Sequence, residues 1–153
     1  MMGEIGTLVI GGPTASGKSA LAQHIAASIG GVIINADSMQ LYRELRILTA
    51  RPTPQEEALL PHRLFGVLSA DQPSSVGRWL ELARVAIDEA ASGGQPAIVV
   101  GGTGLYLYAL LHGLAAVPTI PSEVRAEASK TYDELGGQEF HRALSALDPK
   151  MAE

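Results

Sequence analysis

TLVIGGPTASGKS, residues 7–19, is the stretch that decides the fold. Thr7–Ile10 is a continuous apolar run rich in β-branched residues, as a strand covered on both faces of a parallel sheet requires. Directly after it, Gly12-Pro13-Thr14-Ala15-Ser16-Gly17-Lys18-Ser19 matches G-x-x-x-x-G-K-[ST] in full. A helix is expected from about Lys18 to Ile29, closed by Gly30 and Gly31. Strand, glycine loop and helix in this order form a phosphate-binding unit. Loop amides and the helix N-terminus converge on phosphate oxygens, the Lys18 ammonium neutralises a terminal phosphate, and the Ser19 hydroxyl suits Mg2+. The loop alone does not say whose phosphates it holds, because nucleotide hydrolases, kinases and other diphosphate users share it.

The rest of the chain repeats the pattern. Val32–Ile34 is a second buried strand, ending at Asn35 and Asp37, and Leu64–Leu68 is a weaker third. Ser74 or Ser75 caps an amphipathic helix whose apolar positions Val76, Trp79, Leu80, Leu82, Ala83, Ala86 and Ile87 keep helical spacing up to Gly93. Ala97–Val100 is another strand, followed by Gly101-Gly102-Thr103-Gly104 and an apolar helix through about Leu111. This alternation predicts an α/β fold of the P-loop NTPase type: a parallel sheet with helices on both faces. After Pro118 and Pro121 the pattern turns purely helical, with helices over 122–135 and 138–147 parted by Gly136-Gly137. Asp148-Pro149 then resembles a helix start, so the chain is expected to be the N-terminal part of a longer protein.

Composition narrows the chemistry. The chain has 153 residues, no cysteine, 18% charged residues and a net charge of −5. Thiolate metal sites, disulfides and cysteine nucleophiles are excluded. With no signal-like N-terminus and no apolar run long enough for a bilayer, a cytoplasmic monomer without membrane attachment is expected. Acidity disfavours nonspecific nucleic-acid binding, although Arg43, Arg46, Arg51 and Arg63 could form a local basic surface. His24, His62, His112 and His141 lack metal-ligand spacing.

Two further positions emerge at the carboxyl edge of the sheet, beside the phosphate loop. Asp37 fits a general base, which must stand near the electrophile without binding it. It fits a turn cap equally well. Thr103 could stabilise a leaving oxygen. Taken alone, it is better explained as the N-cap of the following helix.

GPTASGKS (12–19), NADSMQLY (35–42) and VGGTGLYL (100–107), in this order, resemble the tRNA dimethylallyltransferases, also called isopentenyltransferases. The resemblance also takes in TARPT (49–53), PHRL (61–64) and the stretch Pro121–Arg125, and it covers the first half of the family's usual length. It departs from the family at Tyr42–Thr49 and Ser75–Trp79. It implies an incomplete phosphate-loop core over 1–117 and the start of a helical tRNA-binding insertion over 118–153. It further implies that Gly12, Pro13, Thr14, Ala15, Ser16, Gly17, Lys18 and Ser19 hold the diphosphate of dimethylallyl diphosphate, with Mg2+ at Ser19. Asp37 would take a proton from adenine N6, and Thr103 would lie at the reacting centre. Asp37, Ser38, Met39, Gln40, Thr103 and Arg125 would contact tRNA at an adenosine next to the anticodon. The competing readings are a P-loop small-molecule kinase using ATP, an adenylate isopentenyltransferase, and a piece that keeps only nucleotide or diphosphate binding. The NADSMQ and GGTGLY stretches speak against the kinase.

Overall fold

A computed structural model of the chain describes residues 6–115 and 120–152. Two compact units divide it, Met1–Leu114 and Ala115–Glu153. Pro118, where the sequence changes character, and the first five residues lie outside the described stretches.

The first unit is built on a four-stranded sheet in the order β1-β4-β2-β3, from β1 (Thr7–Gly11), β2 (Val32–Asn35), β3 (His62–Arg63) and β4 (Ala97–Gly101). Every pairing is parallel. Alternate residues of the strands feed two cores. Val32, Ile34, Ala97 and Val99 pack with Trp79, Leu80, Ala83 and Tyr106, which come from α3 (Val76–Ser92) and α4 (Gly104–His112). Ile33, Ile98 and Val100 face Ala22 and Ala26 of α1 (Lys18–Ile29) on the other side. Helices therefore cover both faces of β2 and β4, as their continuous apolar runs require, whereas β1, expected to be buried, is an edge strand that leaves Thr7 and Leu8 exposed.

Helix ends follow their residues. The Ser75 hydroxyl accepts the Arg78 N–H to start α3, and Gly30 takes a left-handed conformation to end α1. The expected strand over 64–68 is corrected to His62–Arg63. Leu64 adopts φ 64° and Gly66 φ 62°, left-handed values that no strand sustains, so the chain turns there. Leu68 makes only an isolated bridge to Tyr42, while Leu64 and Leu68 enter the core.

A short helix, α2 (Pro54–Leu59), begins with a capping box. The Thr53 N–H and hydroxyl both donate to Glu56 Oε2 at 2.8 Å, and the Thr53 hydroxyl accepts the Glu56 N–H. The bonds from the Thr53 backbone first, then from the Thr53 hydroxyl and the Gln23 amide, hold the Glu56 carboxyl below its usual range. A depressed carboxyl stabilises the fold above its unfolded pKa of about 4.3 and loses that contribution as pH falls through the lower folded value. Amide exchange over α2 should accordingly rise before that of the sheet on acidification. Thr53→Ala should cost about 1 kcal/mol, so that exchange over α2 is raised already at neutral pH and changes less on acidification. Simultaneous acid release of α2 and the sheet would contradict this.

In the second unit, α5 (Ser122–Leu147) is helical on either side of Gly136, whose φ of 73° and ψ of 163° are non-helical. The two helices expected from the sequence are thus present, broken at the glycine pair. Past Leu147, residues 149–151 form a turn in which the Met151 N–H donates to Asp148 Oδ1 at 3.1 Å. Among the described residues, no helix is long and apolar enough to cross a membrane.

Candidate functional site

Strand register brings the glycine loops and Asp37 to one rim. Gly11 pairs with Gly101, and Asn35 with Val100, so β1, β2 and β4 all end at the same level of the sheet. The Gly12–Ser19 loop leaves β1, the Asp37 loop leaves β2, and the Gly101–Gly104 loop leaves β4. Gly101 is needed for this convergence, because a Cβ there would collide with the backbone carbonyl of Ala36. Gly102 lies against the Gly12 carbonyl and within van der Waals reach of the Lys18 side chain.

The first loop curls through left-handed conformations at Ala15 (φ 62°) and Gly17 (φ 83°). Gly17 occupies the N-cap of α1 without a side-chain cap, and the first turn carries no acidic residue. The opening amides of α1 are therefore free to meet an anion. The Lys18 ammonium folds back over the loop and donates to the Pro13 carbonyl at 3.2 Å.

An open cleft of about 570 Å3 runs along this rim, lined by the loop from Thr14 to Ala20, by Asp37, Met39 and Gln40, and by Leu48–Ala50. It continues into a recess of about 20 Å3, the size of one water, where Lys18, Ser19, Asp37 and Gln40 meet Phe65, Val100 and Gly101. Lys18, Ser19 and Asp37 thus share one small space. Gly12, Pro13, Ser38 and Thr103 do not line the cleft. The Thr103 hydroxyl accepts the Ser38 N–H at 3.0 Å and lies 3.4 Å from the Ser38 hydroxyl, while the Thr103 N–H donates to the Ala36 carbonyl. Thr103 occupies the N-cap position of α4, but its hydroxyl makes no capping bond and instead ties the β4 loop to the β2 loop.

Asp37 Oδ1 accepts the Met39 N–H at 3.0 Å, a turn-capping bond, and the residue also lines the cleft and its recess. Gln40 is held by its amide, which donates to the Thr49 carbonyl at 2.8 Å. Arg125 belongs to the second unit, exposed in the first turn of α5 beside a shallow groove that includes Tyr132 and Phe140.

The expected basic surface is corrected. Arg51 is 8% exposed, donates to the Tyr42 carbonyl at 3.2 Å and packs on Gly66, where a side chain would collide with it. Burial first, and then the Arg46 charge, push the Arg51 guanidinium below its usual pKa. Arg46 pairs with Glu57 at 3.1 Å. Both arginines brace the 42–51 segment that walls the cleft. Sequence reasoning also missed Asn35, a fully buried amide next to Asp37. A polar residue closing an otherwise apolar strand was the available signal.

A family model described as IPP transferase matches residues 40–153, and one described as isopentenyl transferase matches residues 5–65. The chain belongs to the IPP transferase family. Among members, the tRNA dimethylallyltransferase of Rhodospirillum rubrum is 54% identical over 151 residues, covering 99% of this chain and 46% of the relative. That of Methylocella silvestris is 52% identical over 145 residues, covering 95% and 48%. The chain therefore spans about half the length of the curated relatives it matches. Among solved structures, the tRNA isopentenylpyrophosphate transferase of Bacillus halodurans superposes with a TM-score of 0.69 at 34% identity, over 97% of this chain and 49% of that one. A eukaryotic dimethylallyltransferase described as acting on tRNA gives 0.81 at 26% identity, over 96% and 37%.

Proposed function

We propose that this chain carries the donor-binding and base-bearing half of an enzyme that transfers a dimethylallyl group to N6 of a tRNA adenosine next to the anticodon. The observation that supports the reading is the open cleft of about 570 Å3 that Lys18, Ser19 and Asp37 line together. An allylic displacement needs a stabilised diphosphate leaving group on one side and a proton acceptor for a weakly nucleophilic amine on the other. The Gly12–Ser19 loop supplies backbone amides and the Lys18 ammonium for the diphosphate, and Asp37 supplies the carboxylate.

In the reaction, the N6 nitrogen bonds to the allylic carbon as the bond from that carbon to the diphosphate oxygen breaks. The electron pair leaves with pyrophosphate, and the N6 proton passes to Asp37. With Oδ1 engaged by the Met39 N–H, Oδ2 is the oxygen that takes the proton. Ser38 and Thr103, linked through their hydrogen bond, tie the loop that carries the base to the β4 loop, and Met39 and Gln40, which line the cleft, would contact the adenine. The adenine must leave the anticodon-loop stack to enter. Arg125 contacts the tRNA from the second unit.

The donor set fits Mg2+. Ser19 offers a hydroxyl in the recess, and among the described residues no cluster of three or more His, Cys, Asp or Glu forms a cage. Such a site, short of protein ligands, suits an ion that keeps waters and binds phosphate oxygens. Mg2+ held there would neutralise charge on the diphosphate. The reaction takes place in the cytoplasm, where tRNA is the acceptor.

The full-length protein, given dimethylallyl diphosphate, Mg2+ and unmodified tRNA, is expected to yield N6-dimethylallyladenosine, detected by mass in digested tRNA. Phosphate release from ATP without a prenylated nucleoside would overturn the reading in favour of a kinase.

A further inference from the structure

Asn35 is fully buried at the end of β2, and every polar atom of its side chain is used. Its Oδ1 accepts the Asp37 N–H at 2.8 Å, and its Nδ2 donates to the Asp37 carbonyl at 2.9 Å and to the Leu64 carbonyl at 3.1 Å. Its own backbone carbonyl accepts the indole N–H of Trp79 at 2.8 Å. Trp79 is 1% exposed and stacks on Tyr106, with ring centroids 4.4 Å apart and planes 9° from parallel.

We propose that Asn35 is a positioning residue that sets the direction of the Asp37 carboxylate in the cleft. The inference rests on the transfer reading given above. A two-point grip on the N–H and C=O of one residue fixes the rotation of its backbone, and hence the direction of its Cα–Cβ bond, which a single bond would leave free. The third bond reaches Leu64, whose left-handed φ of 64° is costly for a branched aliphatic residue and needs an external hold. Phe65, the next residue, lines the same recess as Asp37. One amide therefore holds the backbone on either side of two residues that line this recess. The Trp79 bond anchors this clamp to the core, so its orientation is decided by packing on α3 and α4 and not by solvent.

The test is a double-mutant cycle in the full-length protein with Asn35→Ala, Asp37→Ala and the pair, reading kcat, KM for dimethylallyl diphosphate and equilibrium binding of that donor. Asn35→Ala is expected to lower kcat about 100-fold, the scale of a misplaced reacting group, with the donor still bound normally. Added to Asp37→Ala, it should lower kcat no further. Asn35→Asp keeps the shape and the acceptor but lacks the two donated bonds, so its kcat should fall towards that of Asn35→Ala with the donor still bound normally. Additive losses in the cycle, or a kcat for Asn35→Asp equal to that of the unaltered protein, would overturn the assignment. So would loss of donor binding in both Asn35 variants, which would mark a core support only. An active Asp37→Ala protein, or no transfer by the unaltered one, sinks the transfer reading itself, and either result is separable from those outcomes.

Discussion

Asp37→Ala is expected to reduce transfer by about 10²–10⁴-fold while dimethylallyl diphosphate still binds, because the variant removes the proton acceptor and leaves the phosphate-facing loop intact. The exocyclic amine of adenine is a poor nucleophile, and its attack builds positive charge on nitrogen unless the proton departs. In the proposed reaction that charge would develop beside Asp37, which lines the cleft together with Lys18 and Ser19. Its side chain gives the rim one turn-capping bond, to the Met39 N–H, whereas the Asn35 clamp and the Thr103–Ser38 link use backbone atoms of the β2 loop and remain in the variant. The effect should therefore fall on kcat, with KM for the donor nearly unchanged. Steady-state kinetics against both substrates measure this split, and a variant with normal kcat would remove Asp37 from the chemistry.

Lys18→Ala is expected to act on the other half of the displacement. The ammonium is the cationic side chain of the first loop, and its present bond to the Pro13 carbonyl holds it over the ring of amides where a diphosphate would sit. Losing it should weaken donor binding and lower transfer by about 10²–10³-fold, since charge grows on the departing oxygens in the transition state. Lys18→Arg should recover little, because a planar guanidinium cannot occupy the compact ammonium position beside Gly102. Titration of each variant with dimethylallyl diphosphate gives the binding part and single-turnover transfer the rest. Unaltered affinity in Lys18→Ala would place the diphosphate elsewhere.

Much of this arrangement was legible in the residues. The β-branched runs Val32–Ile34 and Ala97–Val100 announced buried parallel strands, and the strand register then placed Gly12, Asp37 and Gly102 on one edge. What periodicity did not show was the backbone's response to long-range contacts. LFGVL (64–68) is apolar enough for a strand, but its leucines serve the core through a turn made possible by Gly66 and held by Asn35. His62 and Arg63 pair with β2 despite their polarity, because an edge position leaves their side chains partly in water. Thr103 fits the sequence pattern of a helix cap, yet a donor 65 residues away takes its oxygen. Arg51 counts as a surface charge by composition and is buried in fact, because Gly66 leaves room for its guanidinium. Asn35 is the most instructive case, for a single amide at a strand end gives no periodic signal and its meaning depends on three partners that only the folded chain supplies.

In the proposed reaction the diphosphate and the accepting nitrogen meet in one cleft, with Asp37 beside the nitrogen. A crystal structure of the full-length protein with a non-cleavable sulfur analogue of dimethylallyl diphosphate and an unmodified anticodon stem-loop measures this directly. The account predicts the diphosphate on the Thr14–Ser19 amides and Lys18, and adenine N6 about 2.6–3.2 Å from an Asp37 carboxylate oxygen. A diphosphate bound away from Lys18, or an N6 atom beyond the reach of Asp37 and any single bridging water, would contradict it.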